Sequence, residues 1–148
     1  MRQFKFRAWD KDRGIMWYDD TMKFVNPTTE KYFNQNLVLR MDGDIRTCQW
    51  YDSGLTMHEF GHYELMQFTG LQDRHKKDIY DGDILLGYLY ENEDYPYYVK
   101  VVYNEKETCY QLHALDDYRW PTRLTHNTIK DNHYEVIGNI YENDDLVA

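Results

Sequence analysis

Residues 65–85 constrain this chain more than any other stretch, because apolar runs, turn residues and charge form one continuous pattern there. They read Leu65-Met66-Gln67-Phe68-Thr69-Gly70-Leu71-Gln72-Asp73-Arg74-His75-Lys76-Lys77-Asp78-Ile79-Tyr80-Asp81-Gly82-Asp83-Ile84-Leu85. Residues 64–68 mix apolar and polar side chains at short range, which fits a partly buried strand. Thr69-Gly70 is expected to break it, since glycine takes a positive φ at no steric cost. The charged run from Asp73 to Asp78 faces solvent, and Ile79-Tyr80 returns to the core. Asp81-Gly82-Asp83 signals a tight turn, because Asp and Gly tolerate left-handed conformations. Residues 84–90 (Ile-Leu-Leu-Gly-Tyr-Leu-Tyr) then supply a new strand. A Tyr-x-Gly-Asp turn leading into an aliphatic strand recurs in small barrels of the SH3-like and PRC-like kind, a likeness of fold that does not fix function.

The rest of the chain reads the same way. Phe4, Phe6 and Ala8 alternate with Lys5 and Arg7, the period-two pattern of a half-buried strand, and residues 15–18 pair back as a hairpin across a polar turn. Residues 21–25 continue in extended form until Pro27, and a short helical turn is expected at residues 29–36. Residues 37–41 and 45–51 read as strands joined across Asp42-Gly43, with a loop at Asp52-Ser53-Gly54. Residues 97–103 (Tyr-Tyr-Val-Lys-Val-Val-Tyr) are the clearest strand, returned by residues 109–112 after a turn. Residues 115–132 are less regular, and residues 134–141 form a last strand in which Gly138 marks a bulge or a close backbone approach. No repeat, linker or low-complexity segment interrupts the chain, which predicts one domain over residues 1–148.

Three segments together resemble the YopX family of small proteins carried by phages and prophages. The stretch 65–85 resembles the family's core motif. Arg2-Gln3-Phe4-Lys5-Phe6-Arg7-Ala8-Trp9-Asp10 resembles its opening, and Glu135-Val136-Ile137-Gly138-Asn139-Ile140-Tyr141-Glu142-Asn143 its closing motif. They lie in the family's order and span nearly the whole chain. The chain departs from the family pattern in two loops. Arg74-His75-Lys76-Lys77 stands where the family has an Asn-Gly turn, and Asp144 where Pro is common. The resemblance implies a mainly β, barrel-like domain. It implies no catalytic residues.

Charge and composition exclude some functions. The net charge is −9, with 26 acidic against 17 basic residues, a balance that repels the phosphate backbone and disfavours general duplex-DNA binding. The 15 Tyr, 6 Phe and 4 Trp favour strands and protein contacts, where aromatics bury much area at low entropy cost. Cys48 and Cys109 have no metal-ligand spacing and read as reduced thiols of a cytoplasmic protein. The charged N-terminal residues enter a strand at once, arguing against a signal peptide, and no apolar run approaches the ~20 residues needed to cross a bilayer.

Few residues suggest chemistry. His58-Glu59-Phe60-Gly61-His62 matches H-E-x-x-H, which on a helix places two zinc-binding histidines on one face and a water-activating Glu between them. Gly54 and Gly61 oppose a helix, Phe68 stands where a metzincin has its third histidine, and Glu64 is too close to serve as a remote ligand. His58 and His62 therefore remain weak metal candidates, and an exposed strand or loop is the preferred reading. His75 and His113 are isolated, and His126 and His133 show no nucleophile–base spacing. Asp81 and Asp83 could pair as acid and base or hold a cation, but turn-forming Asp residues that accept nearby N–H groups explain them better. Arg74, His75, Lys76 and Lys77 form the one compact basic cluster, suited to a solvated loop or to contact with a phosphate or an acidic partner.

The sequence thus predicts a mainly β pseudo-barrel similar to YopX, with at most one or two short helices. It predicts a non-enzymatic phage or prophage accessory protein with no cofactor, in the cytoplasm of a bacterial host. Such a protein would act by self-association as a homo-oligomer or by binding a host protein, without a membrane. Two alternatives remain at this level: single-stranded nucleic-acid binding through residues 74–77 and aromatic stacking, with acidic DNA mimicry as a variant, and a zinc hydrolase on residues 58–62.

Overall fold

A computed structural model describes residues 5–18, 24–25, 32–33, 35–39, 45–51, 54–58, 63–88, 95–116 and 119–146, with only the backbone described for residues 24–58. The chain divides into two compact units, residues 6–65 and residues 1–5 with 66–148. The described elements are β-strands, with one short α-helix and one 3₁₀ turn. Among the described residues no helix is long and apolar enough to cross a membrane.

In the first unit, β1 (Phe6–Asp10) and β2 (Ile15–Tyr18) form the expected antiparallel hairpin. Asp10 closes its turn: Oδ1 accepts the backbone N–H of Asp12 and of Arg13, each at 3.1 Å, while Gly14 takes φ 65°. Arg7, expected on the polar side of the strand, is buried at 5% exposure, so alternation located the strand but not its exposure. Two-residue strands β3 (Phe24–Val25) and β4 (Tyr32–Phe33) pair with one another. A three-stranded sheet follows, from β5 (Gln35–Leu39), β6 (Ile45–Tyr51) and β7 (Gly54–His58) in that order. Leu39 opposite Ile45 closes the predicted hairpin; its Asp42-Gly43 tip lies outside the described residues. The helical turn expected at 29–36 is corrected: the described residues there are extended, as suits the β-forming pair Tyr32-Phe33.

The second unit holds most of β8 (Tyr63–Gln72), then β9 (Asp78–Tyr80), β10 (Asp83–Tyr88), β11 (Pro96–Asn104), β12 (Cys109–Ala114), β13 (Thr122–Arg123), helix α1 (His126–Asp131) and β14 (Glu135–Asn139). The last strands make an antiparallel sheet in the order β13-β12-β11-β10-β14. On β11, buried Tyr97, Val99 and Val101 alternate with more exposed neighbours, and they pack with Ile79, Leu85, Leu112, Leu124, Ile129 and Tyr134. Thr69-Gly70 does not end β8. Gly70 takes φ 90° within a register shift between Phe68 and Gln72, so the strand bulges and continues. Gly138 sits at the close approach its sequence suggested, since a Cβ there would fall on Asn143 Oδ1. The one helix lies in the stretch that looked irregular. Thr125 caps it by accepting the N–H of Thr128, whose hydroxyl accepts the N–H of Thr125 in turn.

Candidate functional site

The loop between β8 and β9 is built around one carboxylate. Asp73, 4% exposed, accepts the backbone N–H of His75 at 2.8 Å and of Lys77 at 2.9 Å through Oδ1. Its Oδ2 accepts Val136 N–H at 2.9 Å, and Arg74 N–H donates to Tyr134 C=O at 3.0 Å. The loop is thereby fixed to the start of β14, some sixty residues later in the chain. A buried carboxylate that accepts three backbone N–H groups is a structural anchor.

That anchoring divides the basic cluster. His75 and Lys77 turn back onto β14: His75 Nε2 lies 2.8 Å from Glu135 Oε2, and Lys77 Nζ donates to Val136 C=O at 3.4 Å. Arg74 and Lys76 line an open groove of about 680 Å³ instead. Three residues from after β13 share its walls: His126 and Lys130 of α1, and His133 just beyond. Buried Phe68 and Ile129 and half-buried Leu71 supply an apolar floor. The volume falls within the ~300–1,000 Å³ typical of ligand sites.

The electrostatics of this groove are unbalanced toward cations. Its two carboxylates are already engaged, Asp73 by backbone and Asp78 by Lys5 Nζ at 2.6 Å and Gln72 Nε2 at 2.9 Å. Burial pushes the Asp78 carboxyl up, but the hydrogen bonds from Lys5 and Gln72 and the Lys5 charge outweigh it and leave the carboxyl below its ordinary value. Arg74, Lys76, His126, Lys130 and His133 have no side-chain hydrogen bond or ion pair with any described residue. Lys76 and His133 are also two of the three described non-glycine residues with positive φ, at 68° and 51°. Glycine would hold either position without strain, whereas a residue with a Cβ costs about 1 kcal/mol. Both positions nonetheless carry nitrogen-bearing side chains on the groove.

The other sequence candidates do not assemble into a site. His58 ends a strand rather than standing on a helix, and residues 59–62 lie outside the described residues. Among the described residues no three His, Cys, Asp or Glu side chains come together as a metal would require. Asp83 is buried and its Oδ2 accepts Tyr80 N–H at 2.8 Å, while Gly82 takes φ 79°, the predicted turn. Burial holds the neighbouring Asp81 carboxyl above its usual range, although N–H groups of Tyr103 and Gly82 and the Lys100 charge pull the other way. Cys109 is a half-buried free thiol. Tyr97 and Tyr134 meet edge to face in the core, their hydroxyls 2.8 Å apart, with Tyr97 donating to Asn132 Oδ1 at 2.8 Å. Burial and this hydroxyl contact push Tyr134 well above the usual phenol range, so it stays protonated. Of the exposed aromatics, Tyr95, Tyr98, Tyr103 and Trp120 belong to the second unit, and none of these four lines the groove.

Comparisons with known proteins agree with this fold. The family described as YopX protein matches residues 5–148. The crystal structure of protein yopX from Bacillus subtilis is similar at a TM-score of 0.63 and 20% identity, over 100% of this chain and 98% of that one. Protein EF1440 from Enterococcus faecalis is similar at a TM-score of 0.54 and 21% identity, over 100% of both chains. No curated protein matches.

Proposed function

Because this chain belongs to the YopX family, whose mainly β, barrel-like fold it shares, we propose that it is a phage- or prophage-encoded accessory protein that acts by binding rather than by catalysis. It works in the bacterial cytoplasm and captures a protein, either a host protein or another copy of itself, through the groove between the Asp73–Asp78 loop and α1. One observation carries this reading. An acidic chain of net charge −9 gathers five cationic or cation-capable side chains on one groove and leaves them without partners among the described residues. Unpaired side chains on a fixed backbone are groups available to a ligand.

The same cations would suit a single nucleic-acid strand, the second reading. It is less favoured because strand-binding sites combine charge with aromatic platforms, and among the described residues lining this groove Phe68 is the only Phe, Tyr or Trp. Phe68 is buried, with the Lys5 ammonium over its ring at 5.1 Å.

A pull-down from host lysate tests the proposal, with the unaltered protein beside the double variant Lys76→Glu, Lys130→Glu and with nuclease added or omitted. A protein captured by the unaltered bait, lost with the variant and indifferent to nuclease is the expected result. Capture that disappears with nuclease selects the nucleic-acid reading. Capture unchanged in the variant removes the groove from the function.

A further inference from the structure

Resting on that reading, we infer the chemistry of the segment the groove receives: a peptide in which acidic residues flank an aliphatic side chain. Three features select it. The walls carry positive charge from two elements, at Arg74 and Lys76 of the loop and at Lys130 of α1. A ligand must therefore carry more than one negative group to satisfy them. The floor of Phe68, Leu71 and Ile129 offers no hydrogen-bonding side chain. A uniformly charged ligand would lose water there without return, whereas a Leu or Val side chain gains from it. Finally, the one Phe, Tyr or Trp among the described lining residues is Phe68, which is buried, so the groove offers no exposed platform of that kind for stacking a base.

The loop also fixes how its cations are presented. Lys76 at φ 68° follows the turn closed by its own N–H to Asp73 C=O, and His133 at φ 51° ends α1 with its N–H on Lys130 C=O, and both line the groove. The Asp73 anchor keeps the backbone in place, so presenting the cations of the loop costs no backbone ordering at the moment of binding. Arg74 can take a carboxylate in a two-pronged contact, while Lys76 and Lys130 act as point charges. The histidine side chains add N–H donors at the end nearest α1.

The test uses the full chain and a fluorescein-labelled peptide, Asp-Leu-Asp-Glu-Leu-Asp, blocked at both ends and followed by fluorescence anisotropy. The expected result is saturable binding that weakens at least tenfold in Lys76→Glu, Lys130→Glu. The variant should keep the unaltered protein's melting temperature, which separates loss of the site from loss of the fold. A second peptide with both leucines replaced by serine should bind several-fold more weakly, and an eight-nucleotide oligo-dT more weakly than either. Equal affinity for the leucine and serine peptides would overturn the inference while leaving the cationic groove as the binding site. Tighter binding of oligo-dT would overturn it in favour of a nucleic-acid strand. Peptide binding indifferent to the double variant would overturn the inference and the proposed function together.

Discussion

Asp73 and Lys76 stand three residues apart in one loop and meet the surrounding protein in opposite ways. Asp73 is buried and accepts three backbone N–H groups, one of them from β14. Lys76 is exposed, takes φ 68° and engages no described partner through its side chain. The same division runs through the loop with a period of two: Arg74 and Lys76 line the groove, while His75 and Lys77 reach Glu135 and Val136. One set of side chains determines where the loop is. The other is displayed by it.

The comparison breaks most visibly at Asp73. Asp73→Ala leaves the N–H groups of His75, Lys77 and Val136 without their acceptor. Each unsatisfied group costs on the order of 1–3 kcal/mol when buried, less where water reaches it, so a loss of about 3 kcal/mol is expected. Urea unfolding measures it, and hydrogen exchange should show faster exchange at those three amides. A loss under about 1 kcal/mol would mean that the loop is held by something other than its carboxylate.

The displayed side should respond in binding instead. Lys76→Glu is expected to weaken capture of an acidic peptide by about tenfold, equivalent to about 1.4 kcal/mol. Lys77→Glu, one residue on, should have a much smaller effect. Lys76→Glu should not change stability by more than about 0.5 kcal/mol, the usual range for a surface substitution away from caps and cores. Equal binding losses would erase the alternation on which the comparison rests.

Lys76→Gly sharpens the contrast by moving the two quantities in opposite directions. Removing the Cβ relieves the left-handed strain, and the greater freedom of glycine in the unfolded chain offsets part of that gain. A stability increase of at most about 1 kcal/mol is expected, together with weaker peptide binding because the groove loses a charge. Thermal unfolding and anisotropy on the same preparation check both signs.

The sequence displayed one half of this arrangement. The strand at residues 97–103, the Asp81-Gly82 turn and the close approach at Gly138 are local effects, set by β-branched and aromatic side chains and by the absence of a Cβ, and all three appear in the structure. Arg74 and Lys76 were visible as part of a basic cluster. His126 and His133 were visible only as histidines without a catalytic spacing and Lys130 not at all, because a six-residue helix is too short for an amphipathic pattern and its capping by Thr125 and Thr128 differs from the usual Ser/Thr-to-Glu signature. What joins the two halves of the groove is tertiary, since Asp73 binds a backbone amide 63 residues away. Lys76 holds φ 68° without being glycine, which no local pattern announces, and it lines the groove.

The smallest effect concerns the carboxylates that are already engaged, and it depends on pH. The Asp78 carboxyl lies below its ordinary value in the folded protein, so folding favours its charged form. Its contribution is complete above the unfolded value near 3.9 and is lost as pH falls through the lower folded value. Asp81 is shifted the other way. Its folded state favours the proton, so its penalty is relieved as pH falls from the raised folded value toward 3.9. The two windows follow one another on acidification: stability should first rise slightly and then fall. Asp78→Asn should remove part of the fall, and Asp81→Asn part of the rise, in urea midpoints measured between pH 6 and pH 3. Asp78 and Lys5 retain side-chain exposures of 21% and 35%, so solvent screens their pair and its share of the fall should stay under about 1 kcal/mol. A steeper loss assigned to Asp78 would mean that the Lys5 contact is part of the anchor that holds the loop, and the boundary between engaged and displayed side chains would move to include it.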